Sequence, residues 1–407
     1  MGNLLALLSA ALLALQWVFL RLAGVHLTPH WTALLSGIGI VGAAILLSWA
    51  AEVAQLDVPQ SLAFAFLALI AVLPEYAVDM YFAWQAGEDP AYAQYATANM
   101  TGANRLLIGF GWAAVVVAYW IKTRNRAVEL KRSQTLEISY LTVATAYSFI
   151  IPLKGSISLF DTVALLAIFG FYVAAASRAG MSEPELGGPS TLLGSLPTAR
   201  RRLATLALFA LAGLTILLGA EPFAESLLAV GRTSGMEEFL LVQWVAPLAS
   251  ESPEFIVAIL FALRRNPSAG MATLVSSKIN QWTLLIGMLP LVYSLSAGRA
   301  GALVLDPRQT EEVLLTAAQS LFALAVIANM RFSLWAAALL AALFGSQLLF
   351  TAPGIRYGYS IGYVVLTALL LATNRKIRRG FFDVTRLRPQ PKGPQAAHGA
   401  KDGPKAP

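Results

Sequence analysis

Long apolar segments follow one another along almost the whole chain, and they constrain this sequence more than any other feature. Read against their polar punctuation they give twelve candidate helices, at roughly 3–24, 31–54, 59–86, 91–121, 135–153, 156–177, 203–230, 236–264, 268–297, 310–328, 331–351 and 357–374. Crossing a bilayer core takes about 20 residues of helix, so nearly every segment is long enough to span one. Composition agrees. Hydrophobic residues make up 57% of the 407, charged residues 13%, and the mean hydropathy is +0.66. A soluble protein carries about 25% charge; half of that cannot clothe a water-soluble surface of this size. The expected fold class is an all-α polytopic membrane protein. No Lys or Arg precedes Arg21, and the first apolar run is longer than that of a secretory leader, so it reads as a retained span.

Lys and Arg collect in the cytoplasmic loops of membrane proteins. Twelve spans put twenty-one of the 29 basic residues on one side, including Lys122, Arg124, Arg126, Lys131, Arg132, Arg178, Arg200 to Arg202, Arg264, Arg265 and Arg331. Six fall on the other: Arg21, Lys154, Arg232, Arg299, Arg308 and Arg356. The asymmetry predicts a multi-pass protein of the plasma (inner) membrane with both termini in the cytoplasm. Residues 178–202, with Pro184, Gly187, Gly188, Pro189 and Pro197, read as a flexible cytoplasmic linker, and 383–407 as a disordered basic tail. The absence of cysteine excludes disulfides, thiolate metal sites and Cys nucleophiles. The net charge of +7 lies in loops and tail. Its placement points to the lipid bilayer and small inorganic cations as partners, not nucleic acid. Oligomeric state is left unassigned.

The two sides of the linker resemble each other. Residues 73–84, LPEYAVDMYFAW, align without gaps on 252–263, SPEFIVAILFAL, with five of twelve positions identical. Each copy sits in the second span of a five-helix set. Because five is odd, the second set enters the membrane from the opposite side, which makes an inverted repeat with its site at the repeat interface. Pro74 and Pro253 lack an N–H and should break or kink their helices. The carbonyls freed there are tolerated at bilayer depth only where they line a cavity. Glu75 and Glu254 set a carboxylate beside those carbonyls, and such oxygen ligands suit hard cations. Paired carboxylates inside apolar helices are rarely mere bracing. Asp79 and Glu251 lie three or four residues away, and Arg105 and Lys278 on the following spans are the available counter-charges. All six ionised would leave a net −2, suited to one divalent or two monovalent cations, or relieved by protonation.

On these residues the chain resembles the sodium/calcium exchanger (calcium:cation antiporter) superfamily. That family has two inverted five-helix repeats, each with a Gly-Thr-Ser-Leu-Pro-Glu-like motif, followed on the next helix by a Gly-Ser-Asn-Ile-x-Asn or Asp motif. The resemblance spans about 31–351. It implies repeats at 31–177 and 203–351, a linker at 178–202, and added helices at 1–30 and 352–382. It makes Glu75 and Glu254 cation ligands, with Ser277 on the ligand serine, Gln281 on the terminal carboxamide or carboxylate, and Lys278 on the family's asparagine. Ser250 and Glu251 take the Thr-Ser positions of the second repeat. In the first repeat, Asn99-Met100-Thr101-Gly102-Ala103-Asn104 fits with about four extra residues in the 85–95 loop, whereas aligning Leu-Leu-Ile-Gly at 106–109 with 284–287 gives another register. Either way the last ligand becomes Leu107 or Ala103, so fewer ion sites than the family's usual set are expected. Asn99, Asn104 and Arg105 remain site-lining candidates.

The function implied is secondary antiport of a cation such as Na⁺ or Ca²⁺ by alternating access, with coupling to H⁺ left open; no cofactor is expected. The alternative is a degenerate cation-binding sensor or scaffold that binds without transporting. An enzyme finds no support. His26, His30 and His398 lie in loops or tail, and no HExxH, GxSxG or Walker A pattern occurs. Glu251 is the expected ion-pair partner of Lys278, and Asp79 that of Arg105. Lys278 is read either as a brace or as the occupant of a former cation subsite that yields its proton when a cation enters, coupling transport to H⁺. Glu52 and Glu225, near matched helix ends, line the pathway or simply satisfy local donors.

Overall fold

In hydrocarbon every backbone polar group must be satisfied within its own segment, and a helix is the one way a single segment can do this. The apolar segments accordingly become helices. The computed structural model describes residues 2–57, 73–178, 186–350 and 352–385. Helices α1 (Gly2–Leu22) and α2 (Pro29–Ala54) are followed by α3 (Leu73–Glu88); residues 58–72, the expected first half of that span, lie outside the described residues. Helix α4 (Ala93–Leu106) runs through a π-helical turn, Leu107–Trp112, into α5 (Ala113–Thr123). Helices α6 (Thr135–Ser148), α7 (Ile150–Lys154) and α8 (Leu159–Arg178) close the first repeat. After α9 (Pro189–Gly194), the second repeat runs α10 (Thr198–Ser234), α11 (Glu238–Ser250), α12 (Ser252–Leu263) and α13 (Pro267–Asn280). A second π-helical turn, Gln281–Leu285, leads into α14 (Ile286–Ser296), α15 (Pro307–Ile327) and α16 (Leu334–Leu349); α17 (Pro353–Thr373) and α18 (Arg375–Thr385) follow.

Among the described residues eight crossings are long and apolar enough to span a membrane, and α11 with α12, bent by 53°, makes a ninth. The other three expected spans correspond to α3, to the α13–α14 crossing and to the shorter α16. Phe160, Phe171, Leu217 and Trp335, 68–81% exposed, stand outward from the bundle, as on a surface solvated by lipid.

Four short strands make the inverted symmetry visible. The strand β1 (Ala127–Glu129) joins the third and fourth crossings of repeat one, and β2 (Ser156–Ser158) joins its fourth and fifth. In repeat two the corresponding strands are β3 (Ala302–Val304) and β4 (Arg331–Ser333). Pairing is antiparallel, β1 with β4 and β2 with β3, so each repeat's third connection meets the other repeat's fourth. Only opposite orientations bring those loops to the same side. Helix packing follows the same exchange: α2 lies along α10, α3 packs on α14, and α12 packs on α5. The close approach of α4 to α11 depends on Gly102, where a Cβ would collide with the Gln243 carbonyl.

The described part of the expected linker is structured. Gly187 N–H and the Ser190 hydroxyl both donate to Glu52, and Arg200 to Arg202 already belong to α10. Residues 179–185 and the tail beyond 385 lie outside the described residues. Glu225 is likewise satisfied, accepting from Tyr81 Oη at 2.8 Å and Tyr92 Oη at 2.9 Å. Both glutamates are therefore local acceptors in this conformation.

Candidate cation site

Pro253 starts a helix instead of kinking one. Helix α11 ends at Ser250, Glu251 occupies the break with φ −90° and ψ −5°, and Pro253 stands in the first turn of α12, where its missing N–H has no partner to lose. Glu254 thus falls in a first turn, where the helix dipole favours negative charge. Pro74 and Glu75 open the described part of α3.

Around them lies a set of buried oxygens that the protein leaves unsatisfied. Glu75, Asp79, Asn99 and Gln281 are at most 2% exposed, as is Glu251. Oxygens of these five residues, together with Glu254 Oε2 and Ser277 Oγ, have no hydrogen-bond donor among the described residues. Glu75 and Glu251 meet carboxyl to carboxyl, a contact that only a shared proton turns into a hydrogen bond. Tyr76 Oη donates to Asn280 Oδ1 at 3.2 Å, a bond between the repeats, and Gln281 Nε2 donates to Glu251 Oε1 at 2.7 Å within the second. Buried polar atoms are nearly always paired, so a concentration of orphans at one junction marks a place for something the protein does not supply itself. No three carboxylate or imidazole groups among the described residues form a metal cage. A cation held here takes amide, hydroxyl and carbonyl oxygens as well as carboxylates.

Two expected ion pairs are not formed. Lys278, fully buried, donates from Nζ to Asn104 Oδ1 at 2.9 Å and to the Asn104 carbonyl at 3.1 Å; no ion pair joins it to Glu251 among the described residues. Glu251 turns to Gln281 and Glu75. Arg105 pairs not with Asp79 but with Glu312 on α15, because its guanidinium extends to the side of α4 that faces α15. Ser250 Oγ donates to the carbonyl of Ala246 in its own helix, at 3.2 Å.

The first-repeat register is the one with extra residues near 85–95. Counted from the matched prolines, α3 ends fourteen residues on, at Glu88, and α12 ten residues on, at Leu263, and the two π turns begin at Leu107 and Gln281. The same offset sets Asn104 opposite Lys278, so the Leu-Leu-Ile-Gly alignment is discarded. A π turn loosens the α-helical ladder beside it and is common at functional sites. Just ahead of Leu107, the carbonyls of Asn104 and Arg105 accept from Lys278 and from Gln319 Nε2 (3.2 Å).

Sequence reasoning missed a second buried cluster. Arg105, Glu311, Glu312 and Arg356 are at most 2% exposed. Glu312 pairs with both arginines, Gln347 Oε1 accepts from Arg105 Nη1 at 3.4 Å, and the guanidinium lies 4.9 Å from the Trp244 ring centroid. Arg356 belongs to the first turn of α17, not to an outer loop, which reduces the six opposite-side charges to five. Its signal was legible: two adjacent acids one turn into a buried apolar helix require basic partners.

A family model described as sodium/calcium exchanger protein matches residues 28–178 and 204–352. Among solved structures, the H⁺/Ca²⁺ exchanger CAX is 48% identical with a TM-score of 0.90, covering 95% of this chain and 98% of that one. Native YfkE superposes with a TM-score of 0.62 at 15% identity over 85% of this chain and 98% of its own. The sodium-calcium exchanger NCX_Mj gives 0.53 at 16%, over 79% and 98%. For these two the likeness is one of fold. No curated protein sequence matches the chain.

Proposed function

We propose that this chain, which belongs to the sodium/calcium exchanger protein family, is a cation antiporter that exchanges Ca²⁺ for H⁺ at the Glu75–Glu251–Glu254 junction. The observation that carries this is the set of buried oxygens without donors where the two inverted repeats meet. Like-charged carboxylates side by side in a dry core cannot all be ionised at once. They hold either protons or a cation, and that exclusion is antiport chemistry. With Arg105 committed to Glu312, the remaining Glu75, Asp79, Glu251, Glu254 and Lys278 sum to −3 when all are ionised. A divalent cation leaves one charge for a proton. The 48% identity to an H⁺/Ca²⁺ exchanger supports this ion pair over Na⁺ and Ca²⁺.

The helix break at Glu251 gives the site a hinge, so that it faces one side and then the other. Both termini, the segment 186–202 and the β1–β4 ribbon are cytoplasmic in this proposal, with β2–β3 outside and the plasma membrane as location; the distribution of basic residues supports it. Repeats at 31–177 and 203–351 carry transport, flanked by the added helices. Purified protein in liposomes tests the function. An imposed pH gradient should drive Ca²⁺ uptake, and a Na⁺ gradient alone should not. Saturable Ca²⁺ binding with no flux under any gradient would establish the sensor reading instead.

A further inference from the structure

The ammonium of Lys278 has surroundings that otherwise describe a metal-ion subsite. Its Nζ is bound by a backbone carbonyl and an amide oxygen of the same residue, Asn104, at 3.1 and 2.9 Å. It lies 5.2 Å from the Trp282 ring centroid, and the carboxylates facing it are those of Glu251 and Glu75. Carbonyl, amide and carboxylate oxygens are the ligand types that hard cations take. The carbonyl comes from just ahead of a π turn, and the residue opposite it across the pseudo-twofold axis is Lys278 itself. A buried charge used only as a brace is held by direct pairing with an opposite charge, as Arg105 is by Glu312. Lys278 is instead held by neutral oxygens, with the carboxylates standing beyond.

We propose that Lys278 is a tethered cation that permanently fills a monovalent subsite at Asn104, leaving the acidic junction as the one exchangeable site. The inference rests on the antiport reading above. It explains how a site rich in acids avoids needing a second free ion. The side chain supplies the charge in every state of the cycle, so the carrier has no requirement for a co-bound monovalent ion.

Removing the tether should create that requirement. Wild type, Lys278→Gln and Lys278→Arg are compared in NaCl and in choline chloride at equal ionic strength, by Ca²⁺ flux in liposomes and by thermal unfolding in detergent. For Lys278→Gln we expect about tenfold more flux in NaCl and a Na⁺-specific rise in the unfolding midpoint, since an ion that binds the folded state stabilises it. Wild type and Lys278→Arg, whatever the variant's absolute rate, should show no preference between the salts. A folded Lys278→Gln protein with the same flux and the same midpoint in both salts overturns the proposal. So does a variant that folds in neither salt, because a subsite that Na⁺ cannot refill is a brace. Absence of Ca²⁺ flux in wild type would defeat the antiport reading instead, and the midpoint comparison still reads the subsite.

Discussion

Two clusters of ionisable side chains are buried in this bundle, and neighbouring residues of α4 belong to different ones. Asn104 faces the junction of Glu75, Glu251, Glu254 and Lys278; Arg105 faces Glu311, Glu312 and Arg356. The Arg105 cluster has two acids and two bases, and its Glu312 reaches both arginines. The junction, with Asp79, has four acids to one base, and two of its carboxyls are in contact. Matched charge ties three crossings together, joining the added helix α17 to both repeats. Unmatched charge leaves a place that protons or a cation must fill. Burial alone does not separate a site from a brace, since Glu75, Asp79, Glu251 and Lys278 are as inaccessible as Arg105 and Glu312. The balance of charge does.

The comparison breaks first, and most visibly, at the junction. Glu75→Gln and Glu254→Gln keep the side-chain shape and remove a charge, so each should abolish exchange while the protein still folds. Relief of like-charge repulsion should leave the unfolding midpoint equal to wild type or higher. Flux in liposomes and thermal unfolding in detergent, measured on one preparation, check both halves. Retained transport in either variant would show that the orphan oxygens serve something other than the cargo.

The Arg105 cluster should behave in the opposite way. Glu312→Gln leaves two buried guanidiniums without their shared carboxylate, which should cost about 3–5 kcal/mol of stability. Replacing the whole cluster with apolar residues of similar volume, Arg105→Met with Glu311→Leu, Glu312→Leu and Arg356→Met, should recover much of that loss. If the quadruple variant is no more stable than Glu312→Gln, the cluster does more than neutralise itself.

Much of this arrangement could be read from the sequence, for a physical reason. Apolar segments of bilayer length must be helical, and a Pro-Glu repeated at matched places in such segments has few structural uses. What could not be read were contacts set by side-chain reach. Lys278 and Glu251 share a repeat, which suggested a pair, but the ammonium extends across the pseudo-twofold axis to Asn104. Arg105 follows the junction-facing Asn104 in sequence, yet a helix turns successive residues by about 100°, which is enough to send it to another cluster. Arg356 stood one residue outside its expected span and was assigned to water, while Ser250 matched a ligand position and turned back onto its own helix. The π turns have no local sequence signature, and they settled the register that the motifs left open.

An intermediate effect is expected where the junction is held by neutral contacts. Tyr76 Oη to Asn280 Oδ1 crosses between the repeats, and Gln281 Nε2 to Glu251 Oε1 links two crossings of the second, neither adding charge. Tyr76→Phe removes one such bond, and a neutral hydrogen bond contributes about 1 kcal/mol. Its midpoint should fall only slightly, and exchange should persist with altered apparent Ca²⁺ affinity. An inactive Tyr76→Phe protein would move the cargo site toward Asn280.

The smallest effect belongs to a third kind of charge, one that water reaches. Asp57, after α2, accepts from Arg201 Nε and Nη2, both at 2.8 Å, and from Arg202 Nε at 3.1 Å. The hydrogen bond from Arg201 is the main reason its carboxyl is held down at about 2, against about 3.9 in an unfolded chain. A depressed acid stabilises the fold above its unfolded value and loses that contribution as it protonates, so the window runs from about pH 4 down to about pH 2. The carboxyl is 13% exposed and Arg202 61%, and solvent screening at such a rim limits the pair to about 1 kcal/mol or less. Asp57→Asn should therefore lower the unfolding midpoint slightly at pH 7 and show no difference from wild type once both are measured near pH 2. Exchange per folded molecule should be unchanged, because nothing connects this pair to the junction. A large loss of flux in Asp57→Asn would mean that the contact between α2 and α10 moves during transport, and that even a solvated pair is coupled to the buried site.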